Sequence, residues 1–509
     1  MPDADVLIVG NGPIGATLAV LLAQRGHRVT VLERRPRPYP LPRATSFDGE
    51  TARLLAGTGI GPDLGRITEP ANGYQWQTAT GEALLDIAFT TSGPYGWPDA
   101  NTVHQPALEE LIAARARELP VTVLRGHEAV DLTDGADGVR VTAIDEDDDS
   151  HTLSARWVVG CDGANSFVRE HLDVPVTDLG FSYEWLLCDV RLNEPREFVP
   201  TNVQICDPAR PTTLVGSGPG RRRWEFMRLP GENAAELNAD ETAWRLMAPF
   251  GVTPDTAALL RSTTYIFQAR WAERWRAGHV LLAGDAAHLM PPFAGQGMCS
   301  GIRDAVNLAW KLDLTLTGRA DESLVDTYGE ERRAQAKAAI LASVQLGRVI
   351  CVTDPDAAAE RDATVLANRR GRPASRPEPA KPLTGGLRHE SPGAGEVVPQ
   401  GRVCRPGGTG RFDDVVGRGF VLLTTEELDT EELDTDRAEF LAGLGTHVLR
   451  LTADLDADDV YRPYLARFGA SSLLVRPDYH VFGSSAGRRG LEALVDALRD
   501  RLRATVPAR

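Results

Sequence analysis

An α/β fold with a sheet-rich insertion and a separate C-terminal unit is what this sequence predicts, on three observations. A continuous apolar run, Asp5 to Val9, enters Gly10-Asn11-Gly12-Pro13-Ile14-Gly15 and then a helix-patterned stretch with Leu18, Leu21 and Leu22, the opening of a βαβ unit. Between residues 180 and 270 that alternation gives way to successive β-like runs. A proline-rich stretch, residues 354–400, then sets off a last segment of short strands and helices.

Size and composition support the same frame. At roughly 150 residues per domain, the 509-residue chain is long enough for about three domains and a large core. Hydrophobic residues make up 42% and charged residues 25%, the composition of a globular protein. Lys+Arg total 55 against Asp+Glu 71, a net charge of −16. Such a surface repels phosphate backbones and anionic lipid, so neither nucleic acid nor a membrane is expected as a partner. The six cysteines (Cys161, Cys188, Cys206, Cys299, Cys351, Cys404) form no CxxC pair, so neither a disulfide scaffold nor a metal site is expected. The residues from Met1 to Asp5 carry no positive charge, and no apolar run approaches the ~18 residues of a membrane span. A cytoplasmic protein is expected.

In chain order, Gly26 caps the first helix and a second strand runs Arg28 to Leu32, ending at Glu33. A helix is predicted from Ala107 to Leu119, and the acidic run Asp145 to Asp149 reads as a solvated hairpin turn. Strands follow at Tyr183 to Leu192, Thr212 to Gly216 and Trp224 to Leu229, with Arg221-Arg222-Arg223 read as a solvated hairpin. A buried parallel strand returns at Val280 to Ala283, before helices at Ile302 to Leu312 and Glu322 to Val349. Pro373, Pro377, Pro379, Pro382, Pro392 and Pro399 mark residues 354–400 as a linker. Beyond it come strands at Gly419 to Leu423, His447 to Leu451 and Ser472 to Val475, and a helix at Leu491 to Leu502. The tandem Glu426-Glu427-Leu428-Asp429-Thr430 and Glu431-Glu432-Leu433-Asp434-Thr435 carries no chemistry.

Three motifs carry chemistry. In Gly10-x-Gly12-x-x-Gly15, Gly10 permits the tight turn, Gly12 lets a pyrophosphate approach the backbone, and Gly15 lets helix and strand pack closely. Glu33, ending the second strand, stands where a carboxylate takes ribose hydroxyls. The strand from Val280 runs into Gly284-Asp285, placing a carboxylate at a sheet's C-terminal edge, where it suits a ribityl hydroxyl. Pro291-Pro292-Phe293-Ala294-Gly295-Gln296-Gly297-Met298 follows, a rigid turn and glycine-rich loop whose helix-start N–H groups can hold negative charge. A third strand, from Val158, ends in Asp162-Gly163, with Ser166 and Arg169 a helical turn apart. His288 reads as a packed structural histidine.

These three motifs, in this order, resemble the class A flavoprotein monooxygenases of the para-hydroxybenzoate hydroxylase fold. Pro291 to Asn307, with Thr353 to Ala359 and Arg361-Asp362, resembles most closely the 3-(3-hydroxyphenyl)propionate hydroxylase branch. The last segment is similar to the thioredoxin-like C-terminal domain of larger members, without its CxxC. The resemblance implies a Rossmann-type FAD-binding domain at 1–178 and 270–350, with part of the substrate sheet near 76–100. It implies a substrate-binding β-sheet domain at 179–269, the linker, and a thioredoxin-like domain at 401–509 devoted to packing or assembly. Truncation in the linker is expected to leave FAD bound.

The implied FAD contacts are Gly10, Gly12, Pro13, Ile14, Gly15, Glu33 and Arg34 for the adenosine diphosphate half, Gln105 near the diphosphate-ribityl region, and Gly284 and Asp285 on the ribityl chain. Pro292, Gly295, Gln296, Gly297 and Met298 line the isoalloxazine, while Asp162, Gly163 and Arg169 belong to the motif tied to both FAD and a transient NADH or NADPH. Arg43 and Pro292 are the implied catalytic pair, Arg43 helping the ring swing. Tyr183, Trp185, Trp224, Phe226 and Phe293 are candidate substrate walls. The implied reaction is hydroxylation of a small phenolic substrate by O2 through a flavin C4a-hydroperoxide, with a base or proton relay activating the phenol. Three alternatives stay open: a hydroxylase tailoring aromatic polyketides or pyridinols, a halogenase or reductase, and a non-catalytic FAD-binding redox sensor. The WxWxIP pattern of halogenases is absent. Substrate identity, NADH versus NADPH, the base and homo-oligomerisation are left open.

Overall fold

A computed structural model describes residues 2–369, 373–426 and 434–503. Its first sheet runs Arg276–Ala277, Val280–Leu282, Ser150–Gly160, Ala4–Val9, Val29–Glu33 and Val121–Arg125 from edge to edge, parallel from Val280–Leu282 onward. Glu128–Gly135 and Gly138–Ile144 extend it as antiparallel strands, with the acidic run as the turn between Gly138–Ile144 and Ser150–Gly160. The strands Ala4–Val9 and Val280–Leu282 are apolar and almost wholly buried, with the apolar helix Pro13–Ala23 in the same core. The ends of Ala4–Val9, Ser150–Gly160 and Val280–Leu282 lie side by side, so the three chemistry-bearing loops leave the same sheet edge.

The second sheet carries the long strands Val176–Leu192 and Ala257–Ala272, and its order extends through Arg221–Met227, Thr212–Gly216 and Asn202–Ile205 to Gly73–Gln77 and Ala83–Ala88. Its pleat sorts the aromatics onto two faces. Trp185, Phe267 and Met227 face Phe293 and the helix Ser323–Ile350. Trp224 and Phe226 face the other way, onto Met247 and Phe250 of the covering helical layer. These two residues, candidate substrate walls by sequence, are plain core. Alternation along Arg221–Met227 decides it: Glu225 takes the inward position between them.

Arg221-Arg222-Arg223 is not a solvated hairpin either. Arg222 is buried, lies 3.6 Å over the Phe198 ring and donates to the Thr201 carbonyl at 2.7 Å. Arg223 is buried too, paired with Asp189.

Residues 354–400 depart from a linker in the same way. They open with the helix Pro355–Arg369, and Leu383, Leu387, Val397 and Val398 are buried. The C-terminal unit follows as Val421–Thr424, Thr435–Gly443, His447–Arg450, Tyr461–Ala466, Ser472–Val475, Val481–Ser485 and Gly487–Arg503, a mixed four-stranded sheet that adds the strand Val481–Ser485 and two helices to the three strands and terminal helix read from sequence. Residues 427–433 of the tandem acidic segment lie outside the described residues.

Charged groups with no access to water join this unit to the rest. Glu331 accepts from Lys311 at 2.8 Å, from Asn307 at 2.7 Å and from both terminal nitrogens of Arg476, which also pairs with Asp478. Burial opposes ionisation of Glu331, yet Arg476 and Lys311 hold its carboxyl at about 2; burial pushes Lys311 down to about 8. A second tie joins Arg53 to Asp413 through two hydrogen bonds, at 2.7 and 2.8 Å, with Tyr479 stacked at 3.8 Å. No single described helix is long and apolar enough to cross a membrane.

Candidate active site

The glycine turn is built by close approach. A Cβ at Gly15 would stand 2.1 Å from the Gly10 carbonyl, and one at Gly10 2.5 Å from the Cys161 carbonyl, where φ is also +103°. Gly12 differs: a Cβ there meets nothing within 4 Å, because it points into a cleft. Pro13 occupies the first helical position and Gly12 supplies no side-chain cap, so the first-turn N–H groups stay free for an anion. Glu33 accepts from the Asn11 and Arg35 amides, each at 2.9 Å, which fixes its carboxylate on the cleft wall with lone pairs to spare. Arg34 is exposed, 3.8 Å from Glu128. The Ile14 side chain packs away from the cleft against Gly284 and Gly301, where added Cβ atoms would fall 3.0 and 2.4 Å from it. Glycine at those two positions lets the first and second motifs touch.

Asp285 is partly buried and accepts no hydrogen bond from any described residue; burial raises its carboxyl above the ordinary value. The loop around it is held from below by Asp304, which accepts from the Gly284 amide at 3.0 Å, His288 at 2.8 Å and Arg332 at 2.8 Å. Burial disfavours this carboxylate, but His288 and Arg332 hold it below its usual range. His288 stacks on Trp275 with centroids 5.2 Å apart, a buried structural histidine. Asp304 and Arg332 were not singled out by sequence. The available signal was a carboxylate inside the run Ser300 to Trp310, whose helix Gly297–Leu316 is buried almost throughout.

Pro292–Ala294 forms a tight turn, Gly295 takes φ +64°, and Gly297–Leu316 begins without a side-chain cap, leaving its first N–H groups free. The Gln296 side chain is held elsewhere, donating to Asp48 at 3.2 Å and accepting from Arg303 at 3.0 Å. Met298 is buried. Phe293 points down into Phe181, Trp185 and Phe267, with Tyr183 at the edge of that cluster.

Asp162 lines the cleft, accepts from Ser166 at 2.5 Å and from the Val168 amide, and is raised by burial. Gly163 opens on the cleft with φ +84°. Arg169 is buried, and its guanidinium donates to the Ala164 and Ala286 carbonyls. It therefore fastens the loops around the cleft instead of reaching into it.

Gln105 lines the cleft and also accepts from the Arg43 and Ala44 amides, at 3.0 and 2.7 Å. From the sheet, Arg223 donates to the Pro42 and Arg43 carbonyls at 2.7 Å each, and Arg261 to Pro42 at 2.6 Å, with Asp189 bridging the two arginines. The Arg43 and Ala44 amides and the Pro42 and Arg43 carbonyls are thus held while the Arg43 side chain stays exposed, its guanidinium 5.7 Å from the Tyr39 ring. The cleft runs from Glu33 and Gly12 past Asp162 to Arg43 and opens to solvent.

A glycine cradle open to an elongated cleft, an acid at the second strand's end and an unpartnered carboxylate at the third loop fit FAD. They define a dinucleotide-binding flavoprotein. Residues 3–343 match the family described as FAD binding domain, and residues 395–501 match the HcaD C-terminal domain. The "Probable NADH-specific resorcinol 4-hydroxylase" of Rhodococcus jostii (strain RHA1) is 39% identical over 507 residues, 97% of this chain and 94% of that protein. The 3-(3-hydroxy-phenyl)propionate/3-hydroxycinnamic acid hydroxylase of Comamonas testosteroni is 38% identical over 366 residues, 72% of this chain and 62% of that protein. Among solved structures, aklavinone-11 hydroxylase, crystallised with FAD and aklavinone, superimposes with TM-score 0.79 and 25% identity, over 98% of this chain and 100% of that one. The chain belongs to the FAD-binding family of class A flavoprotein monooxygenases and is an FAD-dependent aromatic hydroxylase.

Proposed function

We propose that this hydroxylase acts on an uncharged phenol bearing a second ring hydroxyl, with NADH as reductant. The observation that carries the reading is the end-to-end relation, 97% of this chain and 94% of the other, to a protein named as an NADH-specific resorcinol 4-hydroxylase. In balance, phenol, O2, NADH and a proton become a further hydroxylated phenol, NAD+ and water. The chemistry that FAD supplies when bound is reduction by a nicotinamide and activation of O2 for transfer to the ring.

The chain's own residues bind and shield. The amides after Gly12 hold the diphosphate and Glu33 the ribose, while Asp285 accepts from the ribityl chain and so gains the partner it lacks. The free N–H groups at Gly297 hold negative charge at the pyrimidine end, with Pro292 and Gly295 shaping the turn before it. Phe293, Trp185 and Tyr183 keep water from the reacting centre. Arg43, on its held backbone, would supply a mobile cation beside the cofactor ring.

The test is a panel of resorcinol, monophenols, 3-(3-hydroxyphenyl)propionate and polycyclic phenols, each with NADH and NADPH, reading pyridine-nucleotide oxidation and product mass. Stimulated NADH oxidation with a product 16 mass units heavier from resorcinol supports the reading. Turnover of polycyclic phenols alone replaces it with the tailoring-hydroxylase alternative.

A further inference from the structure

Glu225 sits on the inner face of the second sheet, in register with Leu187 on one side and Thr213 on the other. Leu187 and Met227, two positions along from Glu225, belong to the apolar cluster that includes Phe293 and Trp185. Arg223, two positions the other way, reaches the Pro42 and Arg43 carbonyls. Glu225 thus lies on the sheet between the Pro292–Phe293 turn and the Arg43 loop, the two segments that bracket the isoalloxazine in the proposed binding mode.

Glu225 is 7% exposed, and its cation is shared. Arg223 Nη1 forms a loose ion pair with its carboxylate at 3.7 Å while donating to the Arg43 carbonyl at 2.7 Å. Arg261, the other arginine of this face, is held by Asp189 and Pro42. A buried carboxylate that shares its one loosely held cation is costly to its fold, and burial raises the Glu225 carboxyl above its ordinary range. A ligand that brings an O–H relieves that cost; one that brings a second carboxylate adds to it.

We propose that Glu225 is a specificity-determining residue of the aromatic site, accepting a hydrogen bond from the substrate's non-reacting hydroxyl and excluding aryl carboxylates. This rests on the reading of the substrate as an uncharged dihydric phenol. It assigns the discrimination between resorcinol-type and arylcarboxylate-type substrates to one side chain.

The experiment titrates FAD-loaded full-length enzyme with resorcinol and with 3-hydroxybenzoate, in which a carboxylate replaces one hydroxyl, and reads each Kd from the flavin absorbance change. Wild type is expected to favour resorcinol at least tenfold. Glu225→Gln, with FAD content and Tm at wild-type values, is expected to lower that preference at least tenfold, and Glu225→Asp to keep the exclusion of the carboxylate. An unchanged preference in Glu225→Gln overturns the proposal, as does wild type binding both ligands equally. A wild type that hydroxylates some other neutral phenol refutes the substrate reading alone; Glu225 is then judged by the same ratio, measured with that phenol and its carboxylate analogue.

Discussion

Arg169 donates from Nη1 to the Ala286 carbonyl at 3.0 Å across 117 positions of sequence, while Nη2 donates to Ala164 at 2.9 Å. One guanidinium therefore ties the loop after Asp162 to the loop around Asp285. The two carboxylates on these loops are both raised by burial.

Replacing Arg169 with Met is expected to leave the buried Ala286 carbonyl without this donor, at about 1–3 kcal/mol, while Ala164 keeps its bond from Arg270 at 2.9 Å. The purified variant should carry less FAD per chain and melt at lower temperature. Full flavin occupancy at unchanged Tm would show that the loops are set by something else.

Gly12 and Gly15 should fail in different ways. Ala at Gly15 collides with a backbone carbonyl, so Gly15→Ala is expected to destabilise the chain itself, with or without added FAD. Ala at Gly12 meets only the cleft, so Gly12→Ala should keep the apoprotein's Tm and circular dichroism while weakening FAD binding. Equal losses of Tm in the two apoproteins would contradict the assignment.

Asp285→Asn should separate stability from function. A carboxyl whose pKa is raised on folding opposes folding once pH climbs through the window between its unfolded and folded values, so at neutral pH the ionised group is a burden on the apoprotein. Asn removes that burden. The apo variant is expected to melt higher than wild type at pH 7, with the gap closing as pH falls below the unfolded Asp value of about 3.9, and to bind FAD more weakly. Thermal melts of apoprotein across pH, paired with flavin titration, measure both.

Truncation after residue 400 is expected to give an unfolded or insoluble chain, not a smaller flavoprotein. It leaves Arg53 without Asp413 and takes Arg476 from Glu331, which keeps only Lys311 as its cation. Removing one partner of such a buried pair costs about 3–5 kcal/mol, and several go at once. A soluble, yellow 1–400 fragment would refute this.

The βαβ unit and the three loop motifs were legible because each is a local pattern: an apolar strand, a glycine turn, a helix start. Strand ends came within one or two residues in Ala4–Val9 and Val280–Leu282, where burial on both faces leaves a plain apolar run. What sequence could not show was which way side chains at the edges of those patterns point. Ile14 sits in the glycine motif yet packs against Gly284, Gln296 sits in the glycine-rich loop yet bonds Asp48, and Trp224 and Phe226 differ from Trp185 only by their place in the pleat. Residues 354–400 read as a linker because proline count reports backbone restriction, while the burial of Leu387 and Val398 depends on partners far away in sequence.

The tie between Glu331 and Arg476 also bears on how the chain is made. Synthesis proceeds from the N-terminus, so the whole FAD-binding region leaves the ribosome while Arg476 and Asp478 are still to be added. Until then Lys311 and Glu331 have each other but not the cation and carboxylate that complete their neutralisation. The last buried charge pairs of the interior can therefore close only once the final strands have been made, and a chain released before them carries open charges at its centre.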